Sequence, residues 1–242
     1  MIPLVLVHGF MGGAAQWDGV IDALKGARPV VAVDLPGFGA QNYLPPIGTI
    51  SGYAAWVITE VRRLGITRYH LMGHSMGGMI VQDMVRQDQD NIANLILYST
   101  GPAGGLPGRV ESIETSKARA IADGPQATAR RIAATWFLER ENAPAYEACA
   151  AIAQRSSPAA IAAGLDAMQG WSGEAFLPQI TRPTRIIWGD QDRTYAWAQA
   201  QQLWQTIPGA ELSVLPGCAH AVHLEKPGLF NAILSDFLKN AD

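Results

Sequence analysis

Two cysteines, Cys149 and Cys218, are too few in 242 residues for a disulfide framework. The apolar core must hold the fold, and reduced thiols are expected. Charge is sparse and balanced: 18 Lys and Arg against 21 Asp and Glu leave a net -3, with neither sign gathered into a run. That pattern points away from nucleic acid and from an anionic membrane surface. No apolar run approaches the roughly 20 residues that span a bilayer, so no membrane insertion is expected. The apolar stretch 1–7 lacks a basic leader and a cleavage site, and it reads as a strand rather than a signal peptide. A cytoplasmic location is the resulting expectation. Internal repeats and low-complexity tails are also missing.

What the sequence does contain is an alternation. Short Val/Ile/Leu-rich runs at 4–7, 30–33, 69–72, 95–98, 184–188 and 211–215 alternate with helix-like patterns near 17–25, 51–64, 76–86, 196–206 and 229–239. Continuous apolar runs suit strands buried on both faces, and the alternation suits right-handed parallel crossovers. The expected fold is therefore α/β: a mostly parallel sheet of about six strands, with helices on both faces. Its length and 48% hydrophobic content fit one large domain.

The alternation stops between 98 and 184. Ala-rich sequence carrying Ile113, Ile121, Ile132, Trp136, Phe137, Tyr146, Ile152, Leu165 and Met168 reads as three or four amphipathic helices, punctuated by Pro125, Pro144 and Pro158. Residues 1–100 and 181–242 are read as the core and 101–180 as an inserted helical cap. Insertions after parallel strands lie over the ligand crevice at their carboxyl ends. Trp136 and Phe137 are its candidate substrate-binding residues.

The strongest chemical signal is Gly73-His74-Ser75-Met76-Gly77, which fits G-x-S-x-G with an apolar strand before it and a helical pattern after it. A nucleophilic serine on such a strained turn needs neighbours without side chains. The helix N-terminus behind it favours the negative charge that develops on a substrate carbonyl. Serine also needs a base. His220 follows the last strand, with His223 as its competitor. The base in turn needs an acid to fix its tautomer. Asp192 is preferred over Asp190 in the loop Trp188-Gly189-Asp190-Gln191-Asp192-Arg193. The loop His8-Gly9-Phe10-Met11-Gly12-Gly13 offers a second backbone N–H for an oxyanion hole, from Phe10, to pair with that of Met76. Glycines there let backbone approach a ligand closely, and the Phe10 side chain would line the pocket. No metal or cofactor is called for. His220 and His223 have helix-like ligand spacing but no third ligand nearby.

These residues, with Asp34-Leu35-Pro36-Gly37-Phe38-Gly39 and Leu224-Glu225-Lys226-Pro227, resemble the α/β-hydrolase superfamily from the first strand to the last helix. The likeness is to its compact capped serine esterases, the type of the pimeloyl-carrier-protein methyl ester esterases, enol-lactonases and ring-cleavage hydrolases. The resemblance implies the triad Ser75, Asp192 and His220, with the Phe10 and Met76 amides as oxyanion hole. The sequence departs from the family in opening at the strand before His8-Gly9, without the two further N-terminal strands usual there, so a six-strand sheet with an altered edge is expected. Serine at 75 argues against dehalogenase and epoxide hydrolase chemistry, which use aspartate there. Ala221 argues against the ring-cleavage enzymes, which carry tryptophan after the histidine. The expected reaction is hydrolysis of a small to medium, largely apolar carboxylic ester. Lactone opening or C–C cleavage by the same triad is the alternative, and a ligand receptor a more distant one. A small-molecule ester is the expected partner. The pair Arg130-Arg131 suits a carboxylate or a carrier protein, but a basic pair on a helix is more often simply solvated, and oligomeric state is not legible.

Overall fold

A computed structural model describes residues 1–105 and 112–239. Strands β1 (Leu4–Val7), β2 (Val30–Val33), β3 (Tyr69–His74), β4 (Ile92–Tyr98), β5 (Thr184–Gly189) and β6 (Glu211–Leu215) form one sheet in the order β2-β1-β3-β4-β5-β6. Every neighbouring pair is parallel. The six-stranded parallel sheet agrees with the sequence expectation. β3 and β4 run longer than the apolar runs alone predict, because Gly73-His74 and Ile92-Ala93-Asn94 also join the ladder.

Side chains alternate between the two faces of a strand, and each face has its own core. Leu4 and Leu6 of β1 face one way with Met72, Ile96 and Ile187, packing on Trp17, Val20 of α1 (Asp18–Leu24) and Phe230 and Leu234 of α9 (Pro227–Lys239). Val5 and Val7 face the other way with Leu71, Leu95 and Leu97, under α2 (Ile50–Arg63) and α3 (Met76–Asp88). Burial on both faces is why these strands read as unbroken apolar runs.

Between β4 and β5 stand α4 (Ile113–Thr135), α5 (Tyr146–Ala153) and α6 (Pro158–Gln169). Residues 106–111 of the expected cap lie outside the described residues. The Ser112 hydroxyl caps α4, and Ser157 caps α6 with Pro158 in its first turn. α4 bends at Gly124, whose φ of 77° is left-handed, just before Pro125. A proline in mid-helix removes a backbone donor and forces such a break. α7 (Trp197–Thr206) follows β5, and the single turn α8 (Val222–Glu225) follows β6.

The strand order reverses at β1, which has β2 on one side and β3 on the other. Ligands of open α/β sheets bind outside the carboxyl ends of the strands at such a reversal. The Gly9 loop follows β1 there and Ser75 follows β3.

Candidate active site

Ser75 occupies the residue between β3 and α3 with φ 58° and ψ -122°, a backbone conformation that L-residues rarely adopt. Its surroundings enforce it. The Ser75 N–H donates to the Tyr98 carbonyl (3.0 Å), and the Thr100 hydroxyl donates to the Ser75 carbonyl (2.7 Å). A Cβ on Gly77 would lie 2.3 Å from the Val7 carbonyl oxygen, and one on Gly73 would lie 2.2 Å from that of Gly77. Both glycines are required by the closeness of backbone to backbone.

His220 stands after β6 and Asp192 after β5. His220 Nδ1 and Asp192 Oδ2 are 2.9 Å apart, and both side chains are buried, at 1% and 0% exposure. The other oxygen, Asp192 Oδ1, accepts from the Thr194 and Tyr195 amides at 2.7 and 3.2 Å. Such donors fix the orientation of the carboxylate. Asp190 turns elsewhere, with its Oδ1 accepting from the Gly217 amide (2.7 Å). His223 also turns elsewhere: its Nδ1 meets the Tyr98 hydroxyl (2.9 Å) and its ring packs on Trp17.

The backbone of His220 is anchored as well as its ring. Its carbonyl accepts from His74 Nε2 (3.0 Å) and from the Tyr98 hydroxyl (3.1 Å). The two supporting histidines are kept neutral. Burial, reinforced by neighbouring histidines, holds His74 well below the usual imidazole range. Burial likewise lowers His223 to about 3. The rings of His74 and Tyr195 flank that of His220, with centroids 4.5 and 5.8 Å away.

Ser75 and His220 line one small cavity of about 10 Å³ together with Gly9, Phe10, Gly12, Gln16, His74 and Trp136. A space of that size holds about one water molecule. Of the residues anticipated from sequence, Ser75, His220, Phe10 and Trp136 meet there, Met76 opens α3 beside Ser75, and Asp192 backs His220. Phe137 does not join them: it is buried, and it lines a separate hollow with Leu138, Leu224 and Glu225. A Cβ on Gly9 would sit 2.9 Å from Ser75 Cβ, so the loop bearing the Phe10 amide runs against the serine.

Helices α5 and α6 press directly on this loop. Cys149 of α5 meets Gln16, a Cβ on Gly13 would touch Ile152 at 3.0 Å, and one on Gly164 of α6 would touch the Phe10 ring at 2.8 Å. The segment after α4 is strapped to the histidine loop. The Ala221 N–H donates to the Trp136 carbonyl (2.8 Å). Glu225 bridges the Leu138 amide (2.6 Å) and the Ala219 amide (2.7 Å) with its two oxygens. Arg193 donates to the Phe137 and Leu138 carbonyls (3.3 and 3.4 Å). Sequence reasoning did not single out Gln16, His74, Arg193 or a bridging role for Glu225. The Glu225-Lys226-Pro227 motif was the only available signal.

Residues 4–233 match the alpha/beta hydrolase family. The chain belongs to that family. Among similar curated proteins, a putative carbamate hydrolase RutD from Agrobacterium fabrum is 27% identical over 99% of this chain and 94% of its own length. A pimeloyl-[acyl-carrier protein] methyl ester esterase from Aromatoleum aromaticum is also 27% identical, over 98% of each chain. Among solved structures, the enol-lactonase from Burkholderia xenovorans LB400 aligns with a TM-score of 0.89 over 98% of this chain and 91% of its own, at 24% identity. The last likeness concerns the fold. Among the described residues, no helix is long and apolar enough to cross a membrane.

Proposed function

We propose that this α/β hydrolase cleaves a small carboxylic ester through a Ser75-His220-Asp192 triad and an acyl-enzyme. The observation that carries the reading is the fully buried Asp192–His220 contact at 2.9 Å, with His220 and Ser75 lining the same cavity. Asp192 holds the Nδ1–H tautomer, which leaves Nε2 as the basic nitrogen. Nε2 takes the Ser75 proton as Oγ attacks the carbonyl carbon, then gives it to the departing alcohol oxygen. Water enters, loses a proton to Nε2 and attacks the acyl carbon, and Ser75 leaves with that proton as the acid is released. The oxyanion of each tetrahedral intermediate receives the amides of Phe10 and Met76, with the α3 N-terminus behind them.

Residues 101–180 act as a cap over a core formed by 1–100 and 181–242, and Phe10 and Trp136 are its substrate-facing walls. The contacts of Cys149, Ile152 and Gly164 with the Gly9–Gln16 loop support that division. The small cavity supports a small substrate.

A fluorophosphonate should label the protein at Ser75, located by peptide mass spectrometry, and abolish hydrolysis of short aryl esters. Ser75→Ala should lower kcat about 10⁴-fold or more. Ester cleavage that persists at an unchanged rate in the Ser75→Ala protein would sink the mechanism. Lactones, carbamates and vinylogous diketones in the same assay define which acyl bond is favoured.

A further inference from the structure

Gln16 is a buried amide in the wall of the reaction cavity, and no step of the proposed hydrolysis uses it. Its orientation is set by its neighbours. Oε1 accepts the Gly13 N–H at 3.3 Å, which assigns the other end of the amide as Nε2. Nε2 carries two protons, yet the partner it meets is the Cys149 sulfur at 3.6 Å. Sulfur is a weak acceptor, and burial pushes the Cys149 thiol up to about 11, so it stays an uncharged neighbour. An amide donor this poorly matched is costly to bury. The cost is offset when a ligand brings an oxygen to it.

The geometry points to Gln16 as a specificity-determining residue that donates from Nε2 to an acceptor oxygen of the substrate, close to the scissile carbonyl. The substrate class is a short ester carrying an ether, hydroxyl or oxo oxygen within a few atoms of the reacting carbon, rather than a plain alkyl ester of equal length. This rests on the esterase reading and refines it. A site built to hydrogen-bond a substrate oxygen discriminates against the analogue lacking it, because the buried donor is then left unpaired. Gln16 belongs to the loop that follows β1 and contacts the helical insertion through Cys149, so either side of the ester can present the oxygen.

The test compares isosteric pairs: methyl 2-methoxyacetate with methyl butanoate, methyl 3-methoxypropanoate with methyl pentanoate, and 2-methoxyethyl acetate with butyl acetate. Each kcat/KM is divided by the hydroxide-catalysed rate of the same ester, which removes inductive activation. At least one pair is expected to favour the oxygen-bearing member by about three- to tenfold in the unaltered protein, as one hydrogen bond allows. Gln16→Met should bring that ratio close to one, mainly through KM, while Gln16→Asn, which keeps an amide donor, should retain part of it. Equal corrected rates within all three pairs overturn the inference, and need no variant to fold. A preference that survives in a Gln16→Met protein of unchanged melting temperature overturns it as well. Cleavage of none of the six esters, with Ser75 unlabelled by phosphonate, would instead remove the esterase reading itself.

Discussion

At the scale of single residues the site is defined by which of two similar neighbours does what. Asp190 and Asp192 are two positions apart, yet one carboxylate binds the Gly217 amide and the other His220. Asp192→Asn should therefore lower kcat about 10⁴-fold, because the amide favours the wrong imidazole tautomer. Asp190→Asn should leave kcat within a few-fold and cost about 1 kcal/mol of stability, read by urea denaturation. His220 and His223 divide in the same way. His223, His74 and His8 all have pKa values lowered by burial, with His223 at about 3. The unfolded chain, with imidazoles near 6.5, then binds more protons than the folded one between that value and the depressed one. Their contribution to stability is thus complete above the unfolded pKa and is lost as pH falls below it. Unfolding free energy should drop between about pH 7 and pH 5, and His223→Gln should flatten the slope by up to about 1.4 kcal/mol per pH unit.

At the scale of elements, the strands were largely legible because each is covered on both faces, so their apolar runs carry through without interruption. The shortfall at β4 has a physical cause. Asn94 is polar, yet it is buried within the strand, and a pattern-based reading stops at it. The turn from Gly73 to Gly77 was legible because its glycines are demanded by contacts within a few residues and with β1. The strap was not, since it joins positions that no periodicity connects. Leu138 and Glu225 are 87 residues apart, and Gln16 and Cys149 are 133 apart. Glu225 makes one carboxylate serve two loops, one leading into His220 and one following Trp136. Glu225→Gln keeps the shape but leaves a single acceptor oxygen, so one of the two amides loses its partner and faces an NH2 donor. It should speed hydrogen exchange of the Leu138 and Ala219 amides and lower kcat several-fold, with KM for short esters little changed. Unaltered exchange at both amides would show that the bridge does not hold these loops.

At the scale of the whole molecule, a parallel sheet and a helical insertion meet over a space that holds little more than one water. The insertion touches the loop after β1 through Gln16, and it touches the histidine loop through Trp136. On the proposed reading, substrate enters by displacing part of the wall made by Phe10 and Trp136. Such gating commonly contributes to turnover in capped enzymes.

The hydrogen bond from the Ala221 amide to the Trp136 carbonyl has one more consequence. On the proposed triad, this bond ties the Trp136 wall of the cavity to the loop that carries the base, so moving one disturbs the other. An acyl chain that props the Trp136 segment open would be held while the loop after His220 loses one of its anchors. Homologous esters should therefore pass from substrates to competitive inhibitors as they lengthen, with Ki continuing to improve after kcat has collapsed. A smooth decline of kcat and affinity together would mean that the door and the trigger are separate.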